Sequence, residues 1–165
     1  MPTPIRFFTP EWAEAARAAV DAGPAQEGKL PSYWSWIERA RAGYTARWAL
    51  GMREAGAYLM LTWKDGRCVE GVIAADPGDA EYVLAADEAT WQDLRDGADP
   101  GRIVMYRRLR LERGDVLAFF RVIYFFVESL ATLCRVAATP RPCAGRGVQA
   151  DRVADPRVLR RVRRQ

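Results

Sequence analysis

The chain has 165 residues and no histidine. That absence removes the commonest general base, the commonest side-chain metal ligand and every Ser–His or Cys–His nucleophile pair. Lysine is nearly missing as well, with only Lys29 and Lys64, so positive charge is carried almost wholly by arginine. The cysteines are three, Cys68, Cys134 and Cys143, an odd number without metal-type spacing. Reduced thiols in a cytoplasm fit them better than a disulfide framework, and no activating neighbour for a thiolate is evident. Gly-rich phosphate loops are absent, and Ser32, Ser35 and Ser129 lack a nucleophile-elbow context. The first twenty residues show no basic segment followed by an apolar run and cleavage site, so a cytoplasmic protein without a signal peptide is expected. The most apolar stretch, 116–136, is interrupted by Arg121, Glu128 and Arg135. Each would cost roughly 2.5–3.5 kcal/mol near a bilayer centre, so no spanning helix is expected. Taken together, no catalytic residue, metal or cofactor is expected. An acyl-handling enzyme is the weakest functional reading.

What is present is apolar and aromatic. Half the residues are hydrophobic, with six Trp, six Tyr and six Phe, a large supply of anchors for a core or a cavity wall. One domain over 1–138 is expected, with N-terminal helices in 1–43 and a core in 44–138. The segment 139–165 carries eight Arg against two Asp, which leaves the body near neutral and makes the tail basic. A solvated, flexible tail is expected there. Peripheral contact with an anionic membrane through it is a candidate interaction. Nucleic acid is not expected, because the tail lacks the interleaved aromatics of a stacking platform.

Local signals give the layout. Thr9-Pro10-Glu11 is a helix start, and the helix runs over 10–22 to a stop at Gly23-Pro24. A second helix is expected over about 33–42, starting at Ser32. Trp48, Leu50 and Met52 alternate as a strand, and residues 54–56 turn. Asp65-Gly66 is a hairpin signal between strands at 58–63 and 68–74. Pro77-Gly78-Asp79 makes another turn, Tyr82 and Leu84 mark a fourth strand, and Leu109 and Leu111 one face of a fifth. The fold class is therefore α+β: about five strands, mostly antiparallel by their short connections, with helices on one face. The carboxylates Asp87, Glu88, Asp93, Asp96 and Asp99 resemble an acidic cluster. Capping at helix N-termini explains Asp87, Glu88 and Asp99 better than acid–base work, and the set lacks calcium-loop spacing.

The stretch 86–120 carries the most information. It reads as helix, short turn, helix, strand, Gly turn and the start of a long apolar helix over 115–136. On that helix Val116, Phe119, Phe120, Ile123, Phe126, Val127, Leu130 and Leu133 share one face, and Leu117, Tyr124 and Phe125 form a second. The first face is explained by covering a sheet. A helix apolar around much of its circumference also meets a cavity, a partner or a membrane.

The ordered set Asp87, Trp91, Leu94, Gly97, Asp99-Pro100, Met105, Leu109, Leu111 and Gly114-Asp115 resembles the core of the sterol carrier protein family, over 44 to about 133. In that family a strand ends in an acidic cap, and a Trp- or Phe-bearing helix follows. The chain then runs through a Gly-x-x-Asp-Pro-like turn, a Met-x-Gly-x-Leu-x-Leu-x-Gly-Asp strand and a last apolar helix. The chain departs at Arg107, where the family has a small residue, and in the aromatic character of the last helix. The resemblance implies an apolar tunnel between sheet and C-terminal helices. It also implies non-enzymatic carriage of a fatty acid, fatty acyl-CoA, phospholipid or sterol-like molecule. The lining residues expected on it are Trp91, Leu94, Ile103, Met105, Leu109, Leu111, Phe119, Phe120, Ile123, Phe126 and Val127, with Arg107 and Arg121 as head-group candidates. The alternative is an accessory or regulatory subunit. It would dock through the face around Tyr124 and Phe125 onto an enzyme of lipid or aromatic metabolism, or onto a second copy of the chain.

Overall fold

The computed structural model describes residues 5–137. The basic segment 139–165, with Cys143, lies outside the described residues. Two helices, α1 (Pro10–Ala22) and α2 (Pro31–Arg41), precede four strands: β1 (Ala46–Met52), β2 (Ala57–Lys64), β3 (Arg67–Ala74) and β4 (Tyr82–Ala86). Helices α3 (Glu88–Arg95) and α4 (Pro100–Met105), strand β5 (Arg110–Arg113), and helices α5 (Val116–Arg121) and α6 (Ile123–Ala137) complete the order. The expected α+β class holds.

The helix starts follow local chemistry. Thr9 accepts from the Trp12 amide (3.3 Å), Asp87 from Thr90 (2.8 Å), Asp99 from Gly101 (3.1 Å), and Asp115 from Leu117 and Ala118 (2.9 and 3.2 Å). Capping is thus what Asp87 and Asp99 do. Helix α2 begins earlier than Ser32, with Pro31 in its first turn and no side-chain cap. The β2–β3 hairpin closes on Asp65-Gly66, both with positive φ (50° and 79°), the conformation that favours Asp-Gly in a two-residue turn.

The sheet order is β3-β2-β1-β4-β5. Three pairings are antiparallel, as expected, but β1 and β4 run parallel, from Trp48↔Tyr82 to Met52↔Ala86. Short connections had pointed to neighbours in sequence. Instead β4 crosses to the free side of β1, and every residue of β4 is buried. An all-apolar strand belongs in a sheet interior, covered on both faces.

All the helices of the main core lie on one face, where they meet Trp48, Leu50, Leu59, Leu61, Trp63 and Leu84; the other face holds only a small cluster around Ala49, Met60 and Val83. Three indoles donate within this packing: Trp91 of α3 to the Gly51 carbonyl of β1 (3.0 Å), Trp12 of α1 to the Leu133 carbonyl of α6 (3.1 Å), and Trp48 locally to the Tyr44 hydroxyl (2.9 Å). Edge strand β3 is covered by α1. A Cβ at Gly71 would stand 2.7 Å from the Ala13 carbonyl and the Arg17 side chain, so only glycine admits the helix this closely. Asp21 at the end of α1 accepts from the Cys68 amide (3.0 Å) and from both forks of Arg67 (2.8 and 2.7 Å), satisfying an edge amide.

The expected single helix over 115–136 is two. It breaks at Val122 (φ −114°, ψ 17°), whose amide donates to Phe119 (3.1 Å) in a tight turn. The break lets α5 and α6 present their apolar faces to different surroundings.

Candidate ligand-binding cleft

The aromatic helix α6 closes the centre of the molecule. Phe125 stands 5.0 Å from Trp63 and 5.5 Å from Tyr44, and Phe126 5.2 Å from Trp48. Phe125, Phe126, Leu130 and Leu133 are all but fully buried. Protein side chains occupy the volume between the sheet centre and α6. Phe125 accordingly belongs to this packing and not to an outward face with Tyr124, which is 53% exposed.

An open apolar space lies at the β5 edge. A cleft of about 470 Å³ lies between α4, β5 and α5, within the usual size range of small-molecule sites. Leu84 and Leu109 form its floor, Val104 and Met105 one wall, Val116, Phe119 and Phe120 the other, and Leu111 lies between them. Two arginines, Arg107 and Arg110, complete the lining, and no carboxylate is part of it.

The chain is shaped here by three local devices. Asp99 starts α4 and Asp115 starts α5, as above. At the end of α4 the Arg107 amide donates to Val104 (3.0 Å) and the Arg108 amide to Ile103 (3.0 Å), the two reverse bonds of a Schellman cap. Arg107 takes the left-handed position of that cap, with φ 59°. Glycine is the ordinary occupant, because a Cβ there costs about 1–2 kcal/mol. The family resemblance puts a small residue at this place, and the backbone gives the reason. Arg107 therefore holds a strained conformation at the cleft. Beyond β5, Gly114 (φ 133°) admits close passage against β4, since a Cβ would meet the Tyr82 ring at 2.6 Å.

Of the residues expected on a ligand, Met105, Leu109, Leu111, Phe119 and Phe120 come together on the cleft, with Arg107. Trp91, Leu94, Ile103 and Phe126 are buried in the core. Ile123 and Val127 are half-buried and stand away from this cleft, and Arg121 is exposed at the end of α5. Sequence reasoning missed Leu84, Val104, Arg110 and Val116. Arg110 was legible only as the polar side of an alternating strand.

Glu128 is buried on α6, accepts from the Tyr33 hydroxyl (2.7 Å) and pairs with Lys29. Burial pushes the Cys68 thiol up to about 12 and moves Cys134 in the same direction, opposite to what a nucleophilic cysteine needs. Among the described residues no helix is long and apolar enough to cross a membrane.

These elements, in this order around this sheet, define a sterol-carrier-protein-like fold. The chain superimposes on a crystal structure of sterol carrier protein 2 with a TM-score of 0.63 and 24% identity, covering 80% of this chain and 100% of that one. It is also similar to the solution structure of a conserved hypothetical protein of Thermus thermophilus, with a TM-score of 0.57 and 23% identity over 82% and 93% of the two chains. No protein-family model matches the sequence, and no curated protein matches it.

Proposed function

We propose that this chain binds and carries an amphiphile, an apolar tail with an anionic head group, in the cleft between α4, β5 and α5. The observation that carries the reading is the cleft's composition: an apolar lining with two arginines and no carboxylate. Burying a hydrocarbon tail contributes about 25 cal/mol per Å², so binding needs no precisely placed polar group. Arg107 and Arg110 select the head, because a guanidinium pairs with carboxylate or phosphate through a planar fork. A fatty acid, fatty acyl-CoA or phospholipid fits this better than an uncharged sterol. The shared fold with sterol carrier protein 2 supports the same reading. The cleft takes the place of a tunnel, because the α6 side is filled by rings. With no activated nucleophile or base at the cleft, carriage is favoured over chemistry.

The test is native mass spectrometry of the purified protein, titrated separately with palmitate and with hexadecanol. A one-to-one palmitate adduct that outlasts the hexadecanol adduct is expected. Equal retention of both would remove the arginines from the account, and no adduct with either would overturn it.

A second reading rests on Tyr124, which stands on the surface 5.9 Å from Tyr33 and 5.5 Å from Trp36 beside exposed Leu30. This aromatic group would be the docking face of an accessory subunit, for an enzyme of lipid or aromatic metabolism or for a second copy. Light scattering decides the second case: a dimer reverted to monomer by Tyr124→Ser would favour it.

A further inference from the structure

Nine large hydrophobic residues of the described chain are exposed, and five of them line one cleft or directly follow its lining residues: Met105, Tyr106, Val116, Leu117 and Phe120, each more than half exposed. Met105, Val116 and Phe120 line the cleft from its two sides; Tyr106 and Leu117 follow them in the chain. An ordinary protein surface scatters such residues singly, and a contiguous group marks an interaction face. Around this group stand Arg107, Arg110 and Arg121, all exposed and none with an ion-pair partner among the described residues. Arg17, Arg41, Arg47, Arg53, Arg67, Arg102 and Arg108 each face a carboxylate. Arg6, Arg39, Arg95, Arg113 and Arg135 are without an ion pair among the described residues too, but none of them lines this cleft.

We propose that this face docks the protein onto an anionic phospholipid bilayer, with Met105, Tyr106, Leu117 and Phe120 entering the headgroup–acyl boundary and Arg107, Arg110 and Arg121 meeting lipid phosphates. Exposed apolar side chains on two short helices and the cap of the first, with arginines beside them that make no ion pair among the described residues, are the complement of that boundary. A second copy fits poorly. Two-fold pairing through this face would set its arginines against their own counterparts, a like-charge juxtaposition. The docking goes beyond cargo binding, and it places the cleft mouth on the membrane, where an amphiphile would pass without crossing water.

The Arg-rich segment 139–165 can also attract anionic vesicles, so the test must report orientation in the full chain. Cys143→Ser leaves only buried Cys68 and Cys134 among the native thiols, and Leu117→Cys then accepts an environment-sensitive fluorophore. Val72→Cys, exposed on β3 at the far edge of the sheet, is the control. With phosphatidylcholine–phosphatidylglycerol vesicles, emission at position 117 is expected to rise several-fold and shift to the blue, while position 72 stays unchanged. Pure phosphatidylcholine should give a smaller response. Replacing the three arginines by Ala should lower vesicle partitioning by roughly five-fold per residue. Protein that floats with the vesicles while position 117 stays unchanged would overturn the proposal in favour of the tail. Absence of vesicle binding would overturn it outright. So would a dimer that Leu117→Glu dissociates, which would make the face a self-interface. Leu117 does not line the cleft, so Leu117→Glu should lose vesicle binding and keep its palmitate adduct. Failure of docking and failure of the carrier reading are thereby told apart.

Discussion

Two apolar regions meet at Phe119, and they behave oppositely. Toward α6, Phe119 meets Phe126 edge-on at 5.0 Å and joins rings that fill the space over the sheet centre. Toward α5 and β5, the same residue is one wall of an open cleft beside half-exposed Phe120. Both sides are built from near-identical text, FFRVIYFF. What separates them is the break at Val122, which turns α5 away from the packed core. The aromatic content that could have meant a large cavity goes mostly into closing the interior, and the cleft at β5 opens where the helix is interrupted. A filled interior and an open edge therefore predict different responses to substitution.

The largest effect is expected on the closed side. Trp48→Ala or Phe126→Ala should destabilise the fold by about 3–5 kcal/mol, read from urea denaturation, because rigid neighbouring rings cannot collapse into the space left. A loss below about 1 kcal/mol would mean the region is loosely filled after all.

On the open side, Phe120→Asp should weaken fatty-acid binding by about ten-fold to a hundred-fold, the value of burying one aromatic side chain. Since Phe120 is half exposed, stability should move by no more than about 0.5 kcal/mol. Isothermal titration together with a melting curve checks both parts. Unchanged affinity in a folded variant would move the ligand elsewhere.

Away from both regions, the α1–β3 seam gives a pH signature. Arg67, donating two bonds to Asp21, is the main reason its carboxyl sits at about 2 instead of 3.8. A lowered carboxyl contributes stability that is complete above about pH 4 and lost as the pH falls through about 2. Asp21→Asn should cost about 1–2 kcal/mol at neutral pH, and the two proteins should converge near pH 2 in acid-denaturation curves. A constant gap across that range would show that the pairing carries no such contribution.

The smallest change has two opposite signs. Arg107→Gly relieves a left-handed residue and should raise stability by about 1 kcal/mol. The same change removes a cleft guanidinium and should lower palmitate affinity a few-fold without affecting hexadecanol. A destabilised Arg107→Gly protein would mean that the side chain is anchored by contacts worth more than the strain.

Much of this was legible in the chain. Thr9, Asp87 and Asp99 signalled their helix starts, and Asp65-Gly66 its hairpin, because capping and turn chemistry are local. The parallel β1–β4 pairing was not read, although its cue was present: Tyr82-Val83-Leu84-Ala85-Ala86 is apolar at every position, as an interior strand is. The break at Val122 carries no Gly or Pro and left no cue. That miss accounts for how the expected residues of the last helix were grouped; Trp91, Leu94 and Ile103, on α3 and α4, are buried in the core for reasons of their own. With one continuous helix, Phe120, Ile123, Phe126 and Val127 share a wall. With two helices, Phe120 faces the cleft, Phe126 the core, and Ile123 and Val127 stand aside. Met105 was expected on a ligand for its place in the strand motif, yet it reaches the cleft as the last residue of α4. Arg110 escaped notice because alternation marks a residue as polar-facing without saying what that face adjoins.

The most direct test of the account is where a fatty acid sits. Methyl spectra of the protein, recorded while a doxyl-labelled stearate is titrated, report this residue by residue. The account predicts paramagnetic broadening of Val104, Met105, Leu109, Leu111 and Val116, with Leu50, Leu61, Leu130 and Leu133 left sharp. Broadening centred on Leu50, Leu61 and Leu130 would contradict it, because the ligand would then lie between the sheet and α6, where the rings of Trp48, Phe125 and Phe126 are packed.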